Sequence, residues 1–130
     1  MPTRPLSPHL SVYKFTYTLV SSGLNRITGV GLSAGFVLLV YWLMALAGGA
    51  HSFARATRVL SHPLAKLLYA GLIVAFCYHL TAGIRHLVWD TGRGLERAQS
   101  HASAKLVIAV SLLLMLIVGY CAYLAGALRP

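Results

Sequence analysis

His79, Gly83 and His86 lie at positions i, i+4 and i+7, so one helical face carries two imidazoles with a side-chain-free position between them. A neutral imidazole in apolar surroundings is a good axial ligand for haem iron, and the gap at Gly83 offers room for a flat cofactor. The same residues permit a structural interpretation, in which His79 is hydrogen-bonded to a neighbouring helix and Gly83 allows close helix packing. The spacing alone leaves both interpretations open.

Arg85, His86 and Asp90 follow on the same segment, beside Trp89, an aromatic residue typical of a membrane interface. At ~1.5 Å per residue, His79 is about 15 Å from Trp89 along a helix, which is near the middle of a bilayer. Ionisable residues at that depth usually belong to a functional site. Near the interface, an ion pair between Asp90 and an arginine would lower the cost of both charges. The alternative is a solvated helix end.

Ser22 and Arg26 form a second polar pair, spaced i, i+4 at the expected start of an apolar segment. A hydroxyl and a guanidinium on one helical face can hydrogen-bond a polar headgroup that enters from lipid. The simpler alternative is that Ser22 caps the helix and Arg26 anchors it to phospholipid phosphate.

The elements that position these residues are apolar helices. The chain has 130 residues, of which 58% are hydrophobic and only 10% charged, so it has too little polar surface for a soluble globule. Three segments approach the ~20 residues that a helix needs to cross a bilayer: about 27–50, 64–89 and 104–128. The sequence therefore predicts an all-α membrane protein, one domain over residues 1–130, with charged connections around 51–62 and 90–103.

The basic residues predict the orientation of the helices. The net charge is +9, but the eleven Lys and Arg residues are dispersed around the ends of the apolar segments, which argues against a nucleic-acid partner. On one side of the membrane lie Arg4, Lys14, Arg26, Arg85, Arg93, Arg97 and Lys105, and on the other Arg55, Arg58, Lys66 and Arg129. The positive-inside rule then places the N-terminus in the cytoplasm or, in a mitochondrial chain, in the matrix. The N-terminal segment does not match a secretory signal and favours a bacterial chain in the inner (cytoplasmic) membrane.

The two cysteines do not predict a redox centre. Cys77 and Cys121 are embedded in apolar helical sequence, where we expect small packed side chains rather than a disulfide or a metal pair. The chain also lacks a GxGxxG flavin fingerprint and a cysteine cluster for iron–sulfur ligation.

Three longer motifs resemble the cytochrome b anchor subunits of succinate dehydrogenase (complex II), the larger of that enzyme's two membrane subunits. The pattern H-x-x-x-G-x-R-H-L-x-W-D-x-G at residues 79–92 matches the family's second signature without a gap. RPLSPHLSVY at residues 4–13 is similar to its N-terminal segment, and SSGLNRITG at residues 21–29 to its motif of a serine followed at three and four residues by His-Arg. The resemblance covers nearly the whole chain.

The resemblance implies a helix bundle that binds haem b together with a smaller anchor subunit. His79 would be the axial iron ligand, and a histidine of the small subunit would occupy the opposite face of the iron. Ser22 and Arg26 would border the site of the quinone, which is ubiquinone or menaquinone.

The resemblance also implies a polar rim around these groups. Arg85, His86 and Asp90 would support the haem propionates and the cytoplasmic edge near the iron–sulfur subunit. One position departs from the family, because Asn25 stands where a histidine near the propionates is common. An amide can donate a hydrogen bond there but carries no positive charge.

The implied activity is electron transfer within a larger enzyme. A flavoprotein subunit would oxidise succinate, an iron–sulfur subunit would pass on the electrons, and this anchor would help to bind the quinone, so the chain is not catalytic alone. A haem-free structural anchor is the main alternative. A small transporter would also place His, Arg and Asp in a bundle, but three helices without an internal repeat are few for alternating access.

Overall fold

The computed structural model describes residues 16–127, and every regular element in that range is an α-helix. In chain order these are α1 (Tyr17–Ala47), α2 (Ala50–Leu60), α3 (Pro63–Asp90) and α4 (Arg97–Ala127). The helices α1, α3 and α4 are long and apolar enough to cross a membrane. The predicted all-α membrane fold is confirmed. Arg4, Lys14 and Arg129, which were assigned to sides of the membrane, lie outside the described residues. The motif at residues 4–13 lies outside them as well.

The first membrane helix begins ten residues earlier than the expected start at residue 27. Thr16 is its N-cap: this residue has an extended backbone, and its hydroxyl accepts a 3.4 Å hydrogen bond from the Leu19 N–H. Ser22 is therefore an internal helical residue, and the alternative in which it caps the helix is wrong. Serine and arginine are tolerated in this extension because neither breaks a helix. At ~1.5 Å per residue, α1 is about 46 Å long and extends beyond ~30 Å of hydrocarbon.

The expected connection at residues 51–62 contains the short helix α2. Its chain enters through Gly49, whose φ of 85° is in the left-handed region that glycine adopts without strain. Ala56 is fully buried, and the Phe53 ring packs edge-on against Trp42 of α1 with 6.2 Å between the ring centroids. The helix therefore turns an apolar face toward α1.

The third helix matches its expected bounds within one residue. His62 is the N-cap and Pro63 takes the first turn, where its missing N–H costs no hydrogen bond. The last membrane helix, α4, begins at Arg97, seven residues before the expected residue 104. This earlier start matters because it places Ser100 and Ser103 on the helix, facing the end of α3.

The packed core is small and centred on α3, which lies between α1 and α4. Tyr78, Ala82 and Val107 form its buried cluster. Large apolar side chains such as Val30 and Leu116 are more than 70% exposed, as expected of surfaces that face lipid or another membrane subunit.

The two cysteines have different surroundings. Cys77 is buried, as expected of a packed small side chain, whereas Cys121 is exposed. The expectation was wrong for Cys121 within this chain because its face of α4 has no neighbouring helix here.

Candidate functional site

The ends of α1, α3 and α4 meet around Arg85, a buried cation that is 7% exposed. Its Nε donates to Ser103 Oγ at 2.9 Å, and its Nη1 donates to Ser21 Oγ at 3.2 Å. Its Nη2 donates to the Ser100 carbonyl at 3.0 Å. The Arg85 guanidinium carbon also lies 3.9 Å from the ring centroid of Trp89, a cation–π contact. One side chain of α3 thus fixes both neighbouring helices.

The partners of Arg85 are hydroxyls and a carbonyl, and Asp90, which was expected to pair with an arginine, is not among them. Asp90 is exposed. The physical reason is the helical period: at 3.6 residues per turn, a residue five positions away points about 140° from Arg85. The charge of Arg85 is therefore stabilised by oriented dipoles and not by a carboxylate.

Ser21, and not Ser22, is the serine that faces the bundle, with 4% of its surface exposed. Tyr78 donates from its hydroxyl toward Ser21, with 3.0 Å to both the carbonyl oxygen and Oγ. Sequence reasoning missed Ser21, Ser100 and Ser103. The i, i+3 spacing of Ser100 and Ser103 was the available signal for a hydroxyl-bearing helical face, but both were expected to lie in a loop.

His79 is half-buried and faces α1. Its Nδ1 lies 3.1 Å from the Asn25 carbonyl oxygen and 3.3 Å from Thr28 Oγ1. A carbonyl oxygen can only accept a hydrogen bond, so Nδ1 must carry the proton. The Thr28 hydroxyl donates to the Leu24 carbonyl at 2.8 Å, which leaves its lone pairs free to accept from His79 as well. In this tautomer Nε2 keeps its lone pair, the arrangement that a metal-ligating histidine has.

The glycine that allows this contact is Gly29. A Cβ at Gly29 would lie 3.0 Å from Cε1 of His79, which is tighter than ordinary van der Waals contact. A Cβ at Gly83 would meet nothing within 4 Å, so Gly83 leaves open space beside His79, as expected. Sequence reasoning missed Gly29 because the close approach is between two helices.

Asn25, whose backbone carbonyl contacts His79, also carries a polar side chain. Its side-chain Oδ1 is buried and has no hydrogen-bond partner. A buried amide without a partner costs on the order of 1–3 kcal/mol. Because rotation of the amide exchanges Oδ1 and Nδ2, this position can offer a ligand either an acceptor or a donor.

A groove of about 600 Å³ runs along the α1–α3 seam from Thr28, the residue that contacts His79. Gly31 and Ala34 of α1 and Gly71 and Ala75 of α3 are the small residues that line it. The site thus combines an oriented imidazole, an unpartnered amide and an adjacent apolar groove.

The remaining predicted residues lie at the end of the bundle that contains Arg85, and they form no hydrogen bond with His79. The His86 ring is half-buried and packs edge-on against Trp89, with 5.3 Å between the ring centroids. Ser22 is half-buried, and Arg26 is exposed on the outer surface of α1.

Residues 1–118 of the chain match the family model described as the succinate dehydrogenase/fumarate reductase transmembrane subunit. The chain belongs to this family. It is 44% identical over 111 residues to the succinate dehydrogenase cytochrome b556 subunit of Paracoccus denitrificans, with 85% of each chain covered. It is 35% identical over 114 residues to the subunit of the same name from Rickettsia typhi, with 88% of this chain and 89% of the relative covered.

A mitochondrial relative aligns with this chain over a smaller share of its own length. The human succinate dehydrogenase cytochrome b560 subunit is 35% identical over 112 residues, which is 85% of this chain and 66% of the human protein.

Within residues 16–127, no three His, Cys, Asp or Glu side chains gather into a group that would hold a metal ion alone.

Proposed function

We propose that this chain is the haem-binding membrane anchor of a succinate:quinone oxidoreductase, with a flavoprotein, an iron–sulfur and a small anchor subunit as partners. The observation that carries the proposal is the 3.1 Å contact between His79 Nδ1 and the Asn25 carbonyl oxygen. With the Nδ1 proton held by this helix carbonyl, Nε2 would be free to ligate the iron of a haem b shared with the small anchor subunit. The names of the relatives, cytochrome b556 and b560 subunits, support a haem of this type.

The residues around His79 fit such a group. The adjacent groove is lined mainly by aliphatic and small residues, which suits a porphyrin face. The unpartnered Asn25 amide can donate to a propionate after rotation, and Arg85 and His86 provide polar groups nearer the end of α3. Haem would supply reversible one-electron storage. This chain would orient the imidazole through the Asn25 carbonyl and shield the iron from water.

The quinone site is proposed at Ser22 and Arg26. Both lie near the start of α1, at the end of the bundle where α3 ends with Arg85 and Asp90. A quinone tail can remain in lipid while its carbonyl oxygens meet the hydroxyl and the guanidinium. Negative charge develops on those oxygens during reduction, and both donors stabilise it. Electrons would arrive from the iron–sulfur subunit at this end.

The orientation follows from the same assignment. The N-terminus and the connection between α3 and α4 would face the cytoplasm, and α2 would lie on the far side of the inner membrane. Single cysteines at Thr3 and Ser52 can be labelled in right-side-out vesicles. We expect external labelling at position 52, and preferential external labelling at position 3 would reverse the topology.

The decisive test of haem ligation is the visible spectrum of the assembled complex carrying His79→Ala. We expect the low-spin b-type bands to shift or disappear. His62→Asn is the matched control because it removes an exposed histidine while keeping an N-cap side chain on α3. An unchanged low-spin spectrum in His79→Ala would refute the ligand assignment, and a wild-type complex without b-type bands would indicate a haem-free anchor.

A further inference from the structure

The short helix α2 presents a stripe of cationic and imidazole side chains. His51, Arg55 and Arg58 follow the spacing i, i+4 and i+7, and all three are exposed. The opposite face is apolar, with Ala56 buried and Phe53 packed on Trp42. A helix with one basic and one apolar face is typical of segments that lie in the plane of a membrane interface.

The charge of this stripe is not neutralised by nearby carboxylates of the chain's side chains. Lys66 adds a further exposed positive charge at the start of α3. The sequence contains only two acidic side chains, Asp90 and Glu96, and both come at or after the far end of α3. At ~1.5 Å per residue the 28 residues of α3 separate these ends by about 40 Å. That distance is about four Debye lengths at ~10 Å each.

A groove of about 260 Å³ lies beside this stripe, between α1 and α2. Tyr41, Met44 and Ala45 of α1 line one side, and Ser52 and Arg55 of α2 line the other. The groove therefore has an apolar wall next to a guanidinium and two hydroxyl groups. The nearby Trp42–Phe53 pair has the aromatic character of the headgroup level of a bilayer.

We propose that α2 is a binding site for an anionic phospholipid. The lipid phosphate pairs with Arg55 and Arg58, and the glycerol backbone and upper acyl carbons occupy the groove beside Tyr41 and Met44. The charge selects anionic over zwitterionic lipid, since each basic side chain near a membrane surface strengthens binding of an anionic lipid about fivefold.

The test uses the whole purified complex in a neutral detergent and measures equilibrium binding of labelled phosphatidylglycerol and phosphatidylcholine. The wild-type complex binds phosphatidylglycerol more tightly. The double variant Arg55→Gln, Arg58→Gln weakens that binding about 30-fold. The double variant Arg55→Lys, Arg58→Lys retains it because both positive charges remain. The matched control is Arg93→Gln with Arg97→Gln, which removes two exposed charges at the opposite end of the helix bundle. We expect it to change phosphatidylglycerol binding less than about threefold.

Two results overturn the proposal. One is equal affinity of the wild-type complex for both lipids. The other is equal phosphatidylglycerol affinity in the wild type and the Arg55/Arg58 glutamine variant; if that variant also loses the small anchor subunit on a native gel, the stripe is a protein contact.

Discussion

Gly29→Ala tests the contact between α1 and the His79 ring. The new Cβ would lie 3.0 Å from Cε1 of His79, so the ring or the helix must move by a few tenths of an ångström. Overpacking of this kind costs about 1–3 kcal/mol. Replacing a helical glycine with alanine stabilises a helix by about 0.5–1 kcal/mol, which offsets part of this cost. The net expectation is a loss of stability of about 0–2.5 kcal/mol, measured as a lower thermal midpoint of the assembled complex.

The same movement lengthens the 3.1 Å contact between Nδ1 of His79 and the Asn25 carbonyl. This hydrogen bond makes the imidazole a more basic ligand, which favours the oxidised iron. If the oxidised form loses about 0.5–1 kcal/mol more than the reduced form, the haem potential should rise by roughly 20–45 mV, given that 59 mV corresponds to a factor of ten for one electron. A redox titration followed at the b-type bands measures this shift, which depends on the proposed ligation.

Gly119→Ala is the control for both measurements. An added Cβ at Gly119 on α4 meets nothing within 4 Å, so this variant should gain stability slightly and leave the potential unchanged. If Gly29→Ala behaves like Gly119→Ala in both assays, the contact with His79 does not constrain the ring. A lower midpoint with no b-type spectrum in the wild type would instead preserve the packing argument and reject the haem.

Three further outcomes are expected. Arg85→Gln should destabilise the complex by roughly 1–3 kcal/mol, because the serines that Arg85 joins lose their shared donor. A thermal midpoint equal to that of the wild type would refute the interpretation that Arg85 holds α1 and α4 against α3. Asn25→His should keep its haem and change the potential only modestly, and complete haem loss would show a different pocket. Ser22→Ala and Arg26→Leu should lower quinone reduction more than electron transfer to an artificial acceptor that acts before the membrane site, whereas proportional losses would make both residues assembly positions.

The membrane helices and the face that carries His79 were predictable, since apolar length and the helical period are properties of the sequence itself. The tautomer of His79 was not, because its partner is a backbone carbonyl on another helix. The choice between Ser21 and Ser22 depended on the rotation of α1 against α3. The residue pattern of α1 alone does not determine that rotation, because it depends on how the side chains of α3 pack against α1.

The start of α4 explains the largest omission at the site. Polar residues before residue 104 were assigned to a loop because the apolar run begins there, yet the helix continues back to Arg97. This extension carries Ser100 and Ser103 to Arg85. The arginine partner expected for Asp90 is not Arg85, for a related reason: charge complementarity was inferred without the angle between positions five residues apart.

The two α1 contacts of α3 place different requirements on the same helix pair. Arg85 and Tyr78 of α3 both hydrogen-bond Ser21, so the start of α1 is fixed by hydrogen bonds. About two turns further along α1, the fit at Gly29 leaves no room for a side chain against His79. The contact at Ser21 sets the position of α1 along α3. The contact at Gly29 then fixes the orientation of the His79 imidazole. A change at Ser21 should therefore affect the His79 site although the two residues do not touch.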